Sequence, residues 1–107
     1  MIKHALQHEN LDCYRFAVEA SRWFRRTKFP RGDWDLRNQA KRAADSVVLN
    51  LAEGQQRAGK DRKQHYRIAA GSAAEACAVL DCLDIEGGEA VQAKLRLIVA
   101  MVRRLPA

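Results

Sequence analysis

From Val91 to Leu105 the large apolar residues stand at Val91, Leu95, Ile98, Val102 and Leu105, a strict alternation of four- and three-residue steps. Only an α-helix brings such a set onto one stripe, because steps of three and four straddle its 3.6-residue turn. A stripe this regular suits the shallow, coiled-coil-like crossing of helical bundles. The same period recurs upstream. Leu36, Ala40, Ala43, Val47 and Leu51 carry it, as do Tyr66, Ala69 or Ala70, Ala73, Cys77 and Leu80. Leu11, Tyr14, Val18 and Ser21 form a fourth seam, widened by Ala17, Ala20 and Phe24. No segment alternates as a strand does.

Helices are therefore expected over about 11–26, 34–53, 62–83 and 88–105. Asn10 reads as the first N-cap, with Asp12 in the first turn. Pro30 and Gly32 punctuate the first helix and Gly54 the second. Asp61 with Gln64 resembles a capping box opening the third. The third stripe is alanine-rich, so that helix must approach its neighbours closely. Loops of about 4–10 residues favour an antiparallel up-down-up-down order. The fold class is all-α, a single four-helix-bundle domain over residues 1–107.

The fourth helix is apolar over more than one face. Ala90, Leu97 and Met101 cluster roughly 100° from the core stripe, and only Gln92, Arg96 and Arg103 make a polar one. A second packing surface centred on Leu97 and Met101 implies a homo-oligomer.

Charge is unevenly spread. Residues 15–67 hold 14 Lys/Arg against 6 Asp/Glu, whereas residues 68–93 hold 5 acids and no Lys or Arg. The basic half suits a polyanion, RNA or DNA. Two patches carry it. Arg57, Lys60, Arg62, Lys63 and Arg67 surround the start of the third helix. Arg22, Arg25 and Arg26 end the first, with Lys28 and Arg31 following. In an up-down bundle these lie at opposite ends. Helix N-termini favour phosphate, so the start of the third helix suits it best.

Other chemistry is sparse. Gly54 to Asp61, G-Q-Q-R-A-G-K-D, nearly matches a phosphate-binding P-loop. It has Asp61 where magnesium needs Ser or Thr, and a helix precedes it where a strand is required. His4 and His8 have the i, i+4 spacing of a metal pair on a helix, with only Glu9 or Asp12 to complete a site. His65 reads as surface. Cys77 and Cys82 point about 140° apart on a helix and cannot share a ligand. No metal, cofactor or catalytic group is expected, so the chain reads as non-enzymatic. The opening MIKHALQHEN lacks the roughly 7–15-residue apolar run of a signal peptide. No stretch reaches the roughly 18 apolar residues of a membrane span. A cytoplasmic protein with reduced Cys13, Cys77 and Cys82 is expected.

One polar stripe flanks the seams. Arg42, Ser46, Asn50 and Glu53 lie beside the second, and Ser72 and Glu75 lie beside the third next to Gly71. A hydrogen-bonded network between these helices, tying Arg42 or Asn50 to Glu75 or Glu53, is the structural expectation. Gly71 would then sit where a neighbouring backbone comes close.

These residues carry a family resemblance. Q-A-K-R-A-A-D-S-V-V-L-N-L-A-E-G, Gln39 to Gly54, followed by I-A-A-G-S-A-A-E, Ile68 to Glu75, resembles the four-helix-bundle family of 23S ribosomal RNA intervening-sequence proteins. L-D-C-Y-R-F-A, Leu11 to Ala17, resembles that family's first-helix start. The resemblance covers about residues 10–105. It implies a ring-like homopentamer encoded in bacterial genomes, within ribosomal RNA intervening sequences or elsewhere. A related branch, the accessory variability determinant of diversity-generating retroelements, binds a reverse transcriptase and nucleic acid. Many members carry proline between the Ser and Asn of the second-helix motif, where this chain has Val47, Val48 and Leu49. Arg42, Ser46, Asn50, Glu53, Gly54, Gly71, Ser72 and Glu75 transfer as signature positions of structural character, and no catalytic residue transfers.

Two functions follow. The first is an oligomeric module that binds RNA or DNA through its basic patches. The second is an oligomeric scaffold for a protein such as a reverse transcriptase, with little nucleic-acid affinity of its own. Replacing Leu97 by glutamate should weaken assembly while leaving helicity intact, read by light scattering on gel filtration and by circular dichroism. A wild type that is monomeric at micromolar concentration would overturn the reading of that face.

Overall fold

Helix-favouring periods separated by short breakers leave the chain one economical arrangement, helix packed on helix. The computed structural model describes residues 3–107. A 3-10 turn, Gln7–Asn10, precedes α1 (Asp12–Arg26), α2 (Trp34–Gln55), α3 (Gly59–Asp81) and α4 (Gly88–Arg103). No strand occurs among the described residues. Each helix packs on its chain neighbours and α1 closes against α4, while the diagonal pairs α1–α3 and α2–α4 do not meet. The result is a four-helix bundle 42 Å long, little more than the ~34 Å length of α3 at 1.5 Å per residue.

The seams face inward largely as their period requires. Phe24, Val47, Leu51, Leu95 and Ile98 are fully buried, each contributing roughly 1.5–3 kcal/mol by leaving water. Between them lies a layer of alanines: Ala17 and Ala20 on α1, Ala40, Ala43 and Ala44 on α2, and Ala69, Ala73 and Ala76 on α3. On α3 the buried stripe runs Tyr66, Ala69, Ala73, Ala76, Val79 and Leu80. Ala70 and Cys77, assigned to it from spacing, are only half-buried, because α3 is rotated to face α2 as well as α4. On α4, Ala90 and Leu97 are exposed and Met101 is half-buried, so that second apolar face is open in the single chain.

Several helix ends differ from expectation. Asn10 does not cap α1; it ends the 3-10 turn, and Leu11 is the N-cap. Gly54 does not stop α2, which runs one residue further, to Gln55. Arg62 makes this possible, with Nε donating to the Gly54 carbonyl (3.0 Å) and a terminal amino group to that of Gln55 (3.2 Å). Carbonyls that lack a helical partner are thus satisfied by a side chain. α3 begins at Gly59, not at Arg62, so Asp61 and Gln64 are not its capping box. α3 and α4 each end two residues early, at Asp81 and Arg103. Gln92 is not on a polar face: it is buried, and its amide donates to the Cys77 carbonyl (3.1 Å) and to Asp81 Oδ1 (2.7 Å).

Gly54 has a steric role. A methyl placed on it would stand 2.8 Å from Tyr66 Cε1 and 3.0 Å from Cδ1. The close approach expected at Gly71 is absent, since nothing lies within 4 Å of a methyl there. The two glycines should therefore respond oppositely. Gly54→Ala should destabilise by about 1–2 kcal/mol through overpacking against a buried ring whose hydroxyl is bonded by Gln55. Gly71→Ala should stabilise by up to about 1 kcal/mol through helix propensity. Urea unfolding of both variants measures the signs.

Candidate nucleic-acid interface

The first turns of α3 carry Lys60, Asp61, Arg62 and Lys63, with Arg67 one turn on. The end of α4 comes beside them: the Gly59 N–H donates to the Ala107 carbonyl (3.4 Å). Arg103 thereby joins Lys63 and Arg67 around a groove of about 610 Å³, whose apolar lining includes Tyr66, Ala70, Gly71 and Val102. Arg104 follows Arg103 and is exposed. The α4 arginines belong to no basic run in the sequence; only the packing of α4 on α3 brings them here.

The cations of this end differ in their freedom. Arg62 is half-buried and held by the α2 carbonyls. Arg57 faces Glu53 Oε2 (3.2 Å) and Asp61 Oδ2 (3.8 Å), surface pairs of small energetic weight. Lys60, Lys63, Arg67 and Arg103 are exposed and form no ion pair among the described residues.

The second cluster lies at the other end of α4. Trp23 of α1 approaches Gly87, the N-cap of α4. Arg22 and Arg26 are exposed nearby on α1. Arg25 is engaged: its guanidinium meets Asp45 of α2 in two bonds, Nη1 to Oδ1 (2.6 Å) and Nη2 to Oδ2 (2.8 Å). The buried Ser21 hydroxyl also donates to Asp45 Oδ1 (2.7 Å). This fork is a tie between α1 and α2.

The signature residues divide. Asn50 Nδ2 donates to the Ser46 carbonyl (2.9 Å) and to Ser46 Oγ (3.0 Å), and the Ser72 hydroxyl donates to the same Oγ (2.9 Å). Asn50 Oδ1 accepts from His65 Nδ1 (2.9 Å), which places the proton of that imidazole on Nδ1. A polar interlock between α2 and α3 therefore exists, but its fourth member is His65, assigned to the surface from its polar neighbours. Arg42 and Glu75 are exposed and outside it, and Glu53 pairs with Arg57. The polar run Lys63, Gln64 and Arg67 around His65 gives no signal that the imidazole turns toward α2.

His4 and His8 share no helix. His8 is buried in the 3-10 turn, edge-on to Tyr14 with ring centroids 4.6 Å apart. No group of three potential metal ligands occurs among the described residues. Cys13 and Cys77 are free thiols whose pKa burial pushes up, and Cys82 is free and exposed. No described helix is long and apolar enough to cross a membrane.

The family model of the 23S rRNA-intervening sequence protein matches residues 9–93. The chain belongs to that family. The matched span takes in the Ser46–Asn50–His65–Ser72 interlock and the basic start of α3. Leu97, Met101, Arg103 and Arg104 fall beyond it. No curated protein matches this member of the 23S rRNA-intervening sequence family.

The Arg25–Asp45 tie has a pH signature. Hydrogen bonding from Arg25, seconded by Ser21, holds the Asp45 carboxyl below its ordinary value against the opposing effect of burial. A depressed folded pKa adds stability above the unfolded value near 4, lost as pH falls through the folded one. Asp45→Asn should destabilise by about 1 kcal/mol at pH 7. The gap to wild type should close as pH falls from neutrality through and below the ordinary carboxylate range, measured by urea unfolding across that range.

Proposed function

We propose that the protein is a non-enzymatic, cytoplasmic nucleic-acid-binding module acting as a homo-oligomer. In this reading the bundle has up-down-up-down order, supported by the pairs Ser46–Ser72, Asn50–His65 and Gly54–Arg62, whose numbers rise on α2 as they fall on α3. Assembly is supported by the exposed Leu97 and Ala90 beside half-buried Met101 on α4. The ring-like homopentamer follows from the family resemblance.

The observation that carries the binding reading is the groove where Lys63 and Arg67 of α3 converge with Arg103 of α4. Three cations without carboxylate partners are available to phosphates at no loss of internal ion pairs. Lys60 and Arg104 extend the field. The surface presents little aromatic area here, since Tyr66 is buried and its hydroxyl is bonded by Gln55. Binding at this end is therefore electrostatic and weakly sequence-dependent. A second reading, a scaffold for a protein partner such as a reverse transcriptase, is favoured by exposed Leu49 and Ile68 bordering the α2–α3 interlock.

Lys63→Glu, Arg67→Glu and Arg103→Glu together should weaken binding of a 20-nucleotide RNA or DNA strand and lower the salt slope by roughly two units. Gel filtration and circular dichroism should be unchanged. A triple variant that binds as wild type does at low salt overturns this assignment.

A further inference from the structure

The turn between α1 and α2 holds an aromatic side chain that the core does not use. Trp34, the first residue of α2, is 60% exposed. One exposed apolar residue is ordinary on any surface, so its surroundings decide its meaning. The turn that presents it is well anchored. Phe29 packs against Trp23 and Phe24, with ring centroids 6.4 and 6.3 Å apart. The Asp33 N–H donates to the Pro30 carbonyl (3.2 Å), and Gly32 takes the positive φ of +94° that the turn needs. The indole therefore leaves a built turn and not a loose tail.

Its environment is cationic. Arg37, one helical turn on, places its guanidinium carbon 5.9 Å from the Trp34 ring centroid. Arg26, Lys28 and Arg31 are exposed in the preceding residues and make no ion pair among the described residues. Asp33 and Asp35 flank the indole, leaving residues 26–37 with four cations, two carboxylates and a net charge of +2. A flat π-face with cations beside it is the chemistry that holds an unpaired base and its phosphates.

We propose that Trp34 is a stacking platform for one unpaired base of single-stranded nucleic acid, with Arg37 supporting the indole and Lys28 and Arg31 meeting the adjoining phosphates. The proposal rests on the nucleic-acid reading above and deepens it: the groove at the start of α3 attracts any polyanion, whereas Trp34 selects single strands. Bases in a duplex are already stacked on one another and offer no free face. Stacking also persists at salt concentrations that screen phosphate contacts.

The test compares wild type, Trp34→Ala and Trp34→Phe in binding a fluorescein-labelled 20-mer of uridine and a 20-base-pair duplex, by anisotropy at low and high salt. Trp34→Ala should lose about 10-fold in affinity for the single strand at both salts. Its duplex affinity should change less than two-fold, and Trp34→Phe should recover part of the single-strand loss. If Trp34→Ala or Trp34→Phe weakens both ligands equally, or Trp34→Ala binds the single strand as wild type does, the stacking site is wrong while the electrostatic reading stands. If wild type binds neither ligand at low salt, both readings fall.

Discussion

The seam between α2 and α3 is the contact on which the remaining structure depends. Buried small residues are numerous on both of its helices: Ala40, Ala43 and Ala44 on α2, Ala69, Ala73 and Ala76 on α3. Small side chains let two helices approach closely, and close approach makes every further contact sensitive to register. At one end Tyr66 lies against the bare backbone of Gly54 with no room for a methyl. Along the side the Ser46–Asn50–His65–Ser72 interlock locks the same register with directed hydrogen bonds. Arg62 completes it by closing the last carbonyls of α2. Alanine packing alone would let the helices slide; the ring, the network and the cap make sliding costly.

That register decides where charge is displayed. With Arg62 turned back to α2, its neighbours Lys63 and Arg67 are free to face the groove shared with α4. Gln92 holds the other end of the α3–α4 pair by reaching the Cys77 carbonyl and Asp81. Arg103 is thereby carried to the start of α3. A basic surface arises from the start of α3 and the end of α4, and its cations Lys63, Arg67 and Arg103 make none of the ion pairs among the described residues. Arg25 shows the contrast, since its charge is taken up by Asp45 and it serves stability.

Most of the fold was legible because helical periodicity is a local property. The α4 stripe of Val91, Leu95, Ile98 and Val102 is buried as its spacing requires, and the four helices lie where four seams were visible. Helix ends were less legible, because what closes them comes from elsewhere. Gly54 reads as a stop by composition, yet Arg62, eight residues on, carries the helix past it. The candidate site was legible in part. Lys60, Lys63 and Arg67 announce themselves as a basic run, but nothing in the run shows that Arg62 is tied to the end of α2 or brings in Arg103.

The amino-acid sequence by itself determined that this chain is helical, that it has four seams to bury and that its basic residues gather in its first two-thirds, since period and charge density are read along the chain. The tertiary structure alone decided which glycine is needed for space, which histidine joins the interlock, and which arginines are free. Those outcomes depend on distances between residues remote in sequence. A hydrogen bond or a steric clash is decided over a few tenths of an ångström, and only the packed helices set such distances.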